Sequence, residues 1–198
     1  TMLDCHDGIP IKPDLNGLYK NEDAKKVVDV CLQRGANLSR ILSPQHKDPD
    51  GFDVHQIRGT IYSLLGADDD AYLAARALQF FAPGVPQVYY VGLLAGENDM
   101  EAAEKTGEGR EINRHNFSLE EIEEDVKKPV VKQLIKMIQF RNTHAAFDGV
   151  FSVNQSSDRE ISLTWTHRKE FANLFVDLVR GRSTITYSDS SGKEVILN

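Results

Sequence analysis

Cysteine is scarce in this 198-residue chain: Cys5 and Cys31 stand alone. Two thiols are too few for a thiolate metal cage, and a chain of this length needs no staple, which points to a reducing cytoplasm. Positive charge is scarce too. With 23 Lys and Arg against 30 Asp and Glu, the formal net charge is -7, and the pI is near 5.4. No broad basic surface is left for a nucleic-acid backbone or an anionic membrane, so any anion must be met by a local cluster. No apolar run nears the roughly 20 residues of a spanning helix, and no basic, apolar and small-residue series resembles a signal peptide. His46, His144 and His167 lack ligand spacing, so zinc is not expected. The lone Trp165 sits in a strand-like run, where such a ring is more often core than sugar platform. Internal repeats, low-complexity tracts and heptad runs are absent.

What is present begins with Leu3-Asp4-Cys5-His6-Asp7-Gly8, an apolar run that ends in adjacent His and Asp. It reads as a strand delivering two polar groups into a cleft. A carboxylate there can stabilise positive charge at an anomeric carbon, and the neighbouring imidazole can bond a hydroxyl of the same ring. On these six residues alone, a turn opened by Asp7-Gly8 with His6 capping it serves as well. The chain starts inside this run without an initiator Met, and an isolated strand needs neighbours to pair its backbone. The expectation is therefore the carboxy-terminal part of a larger protein.

Pro10, Pro13, Asn16 and Gly17 make Ile9 to Asn21 irregular, and Ala24 to Arg34 follows as a helix stopped at Gly35, with Val27, Val28, Cys31 and Leu32 at helical spacing. Asn37 to Asp53, broken by Pro44, Pro49 and Gly51, is the longest aperiodic stretch, and loops of that length tend to be functional. Asp53 to Leu65 is ambiguous. Asp68-Asp69-Asp70 opens a helix that includes Tyr72 to Phe81, and Val85 to Gly92 is a strand-type run, which together make half of an α/β unit. Ser118 and Glu121 have capping-box spacing, and a helix is expected from about Pro129 to Asn142. From Gly149 the chain turns into short β-rich segments separated by polar turns. The expected organisation is residues 1–148 as an α/β body with an inserted loop region, and 149–198 as a small antiparallel β domain.

Four motifs carry a resemblance: Leu3 to Ile9, Phe52-Asp53-Val54-His55-Gln56-Ile57, Phe81 to Gly92, and Glu108-Gly109-Arg110-Glu111-Ile112-Asn113-Arg114-His115. In this order they resemble the carboxy-terminal part of the sucrose phosphorylases of glycoside hydrolase family 13. The resemblance implies the end of a (β/α)8 TIM barrel, with strand 7 ending at His6-Asp7, strand 8 over Pro86 to Val91, and a small β domain after the last helices. Sites in such barrels lie at the carboxy ends of strands.

The family reaction is a retaining double displacement through a covalent glucosyl-enzyme, which phosphate then attacks to give α-glucose 1-phosphate. By the match, Asp7 is the transition-state stabiliser, while His6 and Arg114 bind the glucosyl group. A guanidinium fork suits vicinal hydroxyls and carboxylates. Arg110 is expected to organise the loop rather than touch sugar, and Tyr89-Tyr90 to pack around the strand. Asp53, His55 and Gln56 match the acceptor loop. The family typically has Tyr where this chain has His55 and Thr where it has Cys5. A His beside an incoming anion makes sucrose 6-phosphate a plausible substrate, as it equally reshapes the pocket for a glucosyl-glycerol or glycerate. The nucleophile and the acid/base belong to earlier strands and have no counterpart here, so the chain alone is expected to be inactive. The expected partners are small-molecule sugar and inorganic phosphate as co-substrate, with no cofactor or metal; the family includes dimers, so a homodimer is the natural assembly of the complete enzyme. A family 13 hydrolase or transglucosidase, and a non-enzymatic sugar-binding remnant, are the competing classes.

Overall fold

The computed structural model describes residues 1–11, 20–41 and 52–197. Pro13, Asn16 and Gly17, and likewise Pro44, His46, Pro49 and Gly51, lie outside the described residues. The chain divides into two compact units, one of residues 1–3, 68–87 and 121–198, the other of residues 4–67 and 88–120.

In the second unit, strand β1 (Ile9–Pro10) precedes helix α1 (Asn21–Gln33), and strands β2 (Asn37–Arg40) and β3 (Val54–Arg58) complete an antiparallel sheet in the order β1-β3-β2. Helix α1 ends as its sequence dictates. Gly35 adopts φ 82°, its N–H donates to the Leu32 carbonyl, and the Ala36 N–H donates to the Cys31 carbonyl, which is the paired closure of a Schellman motif. Val28 and Cys31 are buried, whereas Val27 and Leu32 stay exposed, so one side of the expected apolar stripe is wet. Val28, Cys31, Val54, Ile57 and Leu64 form the core of this unit. The stretch that was ambiguous in sequence resolves into β3 and the short helix α2 (Ile61–Leu64), whose Thr60 side chain accepts from the Ser63 N–H.

In the first unit, helix α3 (Asp69–Phe81) starts at Asp68, whose carboxylate accepts from the Ala71 N–H at 2.9 Å. The strand expected over Val85 to Gly92 is not formed. Met2 and Gln87 make a single parallel bridge, with the Gln87 N–H donating to the Thr1 carbonyl at 2.8 Å, and the chain then winds into helix α4 (Tyr90–Leu93). The opening run likewise contributes this bridge and no strand. A strand persists only where its backbone groups find partners, and Pro86 offers no N–H. The bridge is held from below by the Gln79 amide, which donates to the Gln87 carbonyl at 2.7 Å and to the Thr1 carbonyl at 3.3 Å.

Helices α5 (Met100–Thr106) and α6 (Leu119–Asp125) follow, and α7 (Pro129–Thr143) begins with Pro at its first position, where the missing N–H costs nothing. The carboxy-terminal region is a five-stranded antiparallel sheet, β4 (Val150–Val153), β5 (Glu160–His167), β6 (Glu170–Asp177), β7 (Arg182–Ser188) and β8 (Glu194–Ile196), in sequential order. Its inner face is set by register, which places Trp165 opposite Ala172 and Leu163 opposite Leu174. Trp165 is buried, its ring N–H donates to the Phe81 carbonyl at 2.8 Å, and Phe151 and Phe147 stack around it. It is core and no sugar platform.

Candidate active site

The second unit gathers the candidate groups. Gly8 lets the segment carrying His6 and Asp7 lie directly on β3. A Cβ on Gly8 would meet the Gln56 Cβ and the Ile57 carbonyl at 2.8 Å each, closer than side chains tolerate. The 3-10 turn Glu111–Asn113 approaches from the other side. Its Asn113 is buried, and the side-chain amide donates to the Cys5 carbonyl at 3.1 Å and the Asp7 carbonyl at 3.2 Å. Two backbone acceptors that would be costly to bury unpaired are thereby satisfied, and the Cys5-His6-Asp7 segment is fixed at both ends.

Asp7 is half-exposed and faces one imidazole and two guanidinium groups. His6 Nε2 lies 3.5 Å from its carboxylate, Arg110 Nη1 at 3.8 Å and Arg114 Nη2 at 3.9 Å. Arg114 is itself anchored: its Nε donates to the His6 carbonyl at 3.1 Å and its Nη1 to Glu111 at 3.5 Å. The arrangement offers one carboxylate, one imidazole and two guanidinium forks to a ligand rich in hydroxyls or negative charge. Cys5, His6 and Asp7 bring one ligand-type atom each within 4.8 Å of one another, a grouping that sequence spacing did not suggest. The two guanidinium groups beside the carboxylate oppose a divalent cation there.

A supporting layer holds the turn. The Tyr89 hydroxyl donates to the Asn113 carbonyl at 3.2 Å, and Tyr90 donates to the His115 carbonyl at 2.8 Å. Burial, and then the hydrogen bond with Tyr90, push the Tyr89 phenol well above its ordinary pKa, so it remains a neutral donor. Asp99 caps α5 by accepting from the Ala102 N–H, its own N–H donates to the Ile112 carbonyl, and its carboxylate meets His115 Nδ1 at 2.6 Å. The His115 hydrogen bond, followed by that from Ala102, holds the Asp99 carboxyl below its usual range.

Asp53 precedes β3 and pairs with Arg40 of β2 at 2.5 Å. His55 is the extra residue of a bulge, because Ser39 pairs with Gln56 and Arg40 with Val54. It is exposed, while Gln56 is half-buried against Gly8. The structure thus joins Asp7, His6 and Arg114 into one cluster, sets Gln56 beside it, and places His55 on the same strand as Gln56, with Asp53 immediately before that strand. Sequence reasoning undervalued Arg110, which stands as near Asp7 as Arg114 does, and missed Asn113 and the Asp99–His115 pair. Arg110 and Asn113 reach residues about a hundred positions earlier, and Asp99 meets His115 across 16 positions, so none of these contacts leaves a local pattern.

No family model matches the chain. It is 60% identical over 195 residues to a sucrose 6(F)-phosphate phosphorylase of Thermoanaerobacterium thermosaccharolyticum, covering 98% of this chain and 40% of that protein. It is 46% identical over 189 residues to a glucosylglycerol phosphorylase of Marinobacter adhaerens, covering 96% of this chain and 39% of the relative. A sucrose phosphorylase of Bifidobacterium adolescentis is 44% identical over 189 residues, 91% of this chain and 37% of the relative. A crystal structure of a sucrose 6F-phosphate phosphorylase from Thermoanaerobacter thermosaccharolyticum superposes with a TM-score of 0.95, covering 98% of this chain and 40% of that one. Each of these relatives carries the name of a phosphorylase. The chain is homologous to the carboxy-terminal part of the sucrose phosphorylase family, and its fold is the corresponding end of the barrel with its appended β domain. It spans about two fifths of the length of these relatives, 40% in the first. No helix among the described residues is long and apolar enough to cross a membrane.

Proposed function

We propose that this chain is part of a retaining α-glucoside phosphorylase acting on sucrose or its 6-phosphate. The observation that carries the reading is the Asp7 carboxylate held among His6, Arg110 and Arg114. In the proposed double displacement, a carboxylate nucleophile expels the fructosyl group to form a covalent glucosyl-enzyme, and inorganic phosphate attacks the same carbon to release α-glucose 1-phosphate. Both steps pass through an oxocarbenium-like transition state. Asp7 faces that positive charge, which exists only as the bond breaks, so its effect falls on turnover more than on binding. Arg114 and His6 bond hydroxyls of the glucosyl ring. The nucleophile and acid/base roles are given to no residue of this chain, and the 198 residues alone should show no turnover.

Asp53, His55 and Gln56 face the acceptor. His55, exposed at the bulge of β3, favours the phosphorylated sugar, as does the 60% identity to a protein of that name. No cofactor or metal is needed by this chemistry, and the enzyme is assigned to the cytoplasm, where inorganic phosphate is at hand as co-substrate. The deciding experiment is to assay the complete enzyme for glucose 1-phosphate release from sucrose and from sucrose 6-phosphate, with and without phosphate. Release that needs phosphate supports the reading; free glucose formed equally well without phosphate makes the protein a hydrolase instead.

A further inference from the structure

We propose that Arg40 is a specificity-determining residue of the acceptor side, which cancels the charge of Asp53 so that an anionic sugar can approach β3. The inference rests on the acceptor placement of Asp53 and His55 under the proposed function. Its basis is geometric. Arg40 Nη1 lies 2.5 Å from Asp53 Oδ1, and the Ile41 N–H donates to the Asp53 carbonyl at 2.6 Å, so β2 grips both the side chain and the backbone of Asp53. The carboxylate is 21% exposed, whereas the Arg40 side chain is 55% exposed. Of the two side chains, that of Arg40 is therefore the more exposed.

Charge arithmetic gives this geometry a consequence. An ionised Asp53 standing alone two residues from His55 would repel a phosphoryl group entering beside β3, and the chain as a whole already carries a net charge of -7. Arg40 sets a positive charge against that carboxylate, and its own exposed side chain is left to the anion. The bulge reinforces this, because it sets two residues, Val54 and His55, opposite the single Arg40, which brings the imidazole-bearing residue to the same rung of the ladder. A neutral sugar gains little from the neutralisation. Arg40 should therefore act on the discrimination between charged and uncharged substrates and leave bond cleavage alone.

The test measures KM and kcat of the complete enzyme on sucrose 6-phosphate and on sucrose for the wild type, Arg40→Gln and Arg40→Lys. The expected result is a KM for sucrose 6-phosphate raised about fivefold or more in Arg40→Gln, with KM for sucrose and both kcat values within about twofold, and substantial rescue in Arg40→Lys, since the charge is kept. Added salt should shrink the difference between wild type and Arg40→Gln. A residue that merely props up the loop would raise both KM values alike and be blind to salt, and that outcome overturns the assignment. An active wild type with unchanged ratios in Arg40→Gln overturns it as well, whereas a wild type inactive on both sugars sinks the phosphorylase reading and this assignment together.

Discussion

The two units reach order by different physics. The first, which contains α3, α7 and the five-stranded sheet, is held by apolar burial: Ala77, Val131, Leu134, Ala172 and Leu174 are fully enclosed, and Phe81, Phe140, Phe147 and Trp165 stack edge to face or tilted. Its Arg141 adds hydrogen bonds to that packing, donating to the Phe80 and Gly84 carbonyls while its guanidinium lies 4.4 Å from the Phe147 ring. The second unit has a small core of its own, but around the candidate site it is held by side chains bonded to backbone carbonyls: Asn113 to Cys5 and Asp7, Arg114 to His6, Tyr89 to Asn113. Dispersion is forgiving of position by fractions of an ångström, whereas a hydrogen bond specifies direction. A site that must aim a carboxylate is accordingly built from the directional kind.

The comparison makes unequal demands on substitution, and the largest effect belongs to the site. Asp7→Asn in the complete enzyme removes a charge without changing shape, so turnover should fall by about a hundredfold or more while the circular dichroism spectrum and melting temperature stay close to wild type. Near-normal turnover would remove Asp7 from the mechanism. In the other unit, Leu174→Ala opens a cavity at a fully buried position of β6 and should cost about 3 kcal/mol in denaturant unfolding. Turnover measured where the protein is still folded should stay near normal. If Leu174→Ala slowed the chemistry as much as Asp7→Asn does, the division between a packed scaffold and a directional site would be wrong.

Asn113→Leu falls between the two kinds. It keeps an apolar body of similar size and leaves the Cys5 and Asp7 carbonyls without their donor, so about 2 kcal/mol of stability should be lost. Unlike Leu174→Ala, it should also lower turnover, because the backbone beneath Asp7 is released. Loss of stability with unaltered turnover would show that the amide is structural only.

The same contrast explains what could be read beforehand. Helix α3 with its Asp68 cap, the Gly35 stop of α1 and Pro129 opening α7 follow from periodicity and local turn chemistry, and the five-stranded sheet fills the β-rich region expected from Gly149 onward. The strand runs at Leu3 to Asp7 and Pro86 to Val91 have the composition of barrel strands yet form one bridge, since a parallel strand owes its existence to neighbours that no local pattern reveals. Within the site, His6, Asp7 and Arg114 were legible through motifs. The parts that aim them were not: Asn113 reaches back 108 positions to Cys5, and the Arg40–Asp53 pair depends on a bulge whose register only the folded sheet defines.

The smallest expected effect sharpens the comparison at its edge, in the Asp99–His115 pair behind the turn that carries Arg110 and Arg114. Asp99→Asn is well chosen because Asn caps a helix about as well as Asp, so the Ala102 hydrogen bond survives and the charge alone is lost. The Asp99 carboxyl is held below its ordinary value by His115 and Ala102. A carboxyl whose folded pKa is depressed contributes stability that is fully present above its unfolded pKa and drains away as pH falls through the folded one. Wild type should therefore be the more stable protein at neutral pH, and between about pH 5 and pH 2 its urea midpoint should fall more steeply than that of Asp99→Asn, the two curves converging in acid. The gap should be modest, since the pair is partly solvated, and should narrow with salt. Parallel curves across that range would mean that the bond positions His115 without favouring the charged carboxylate.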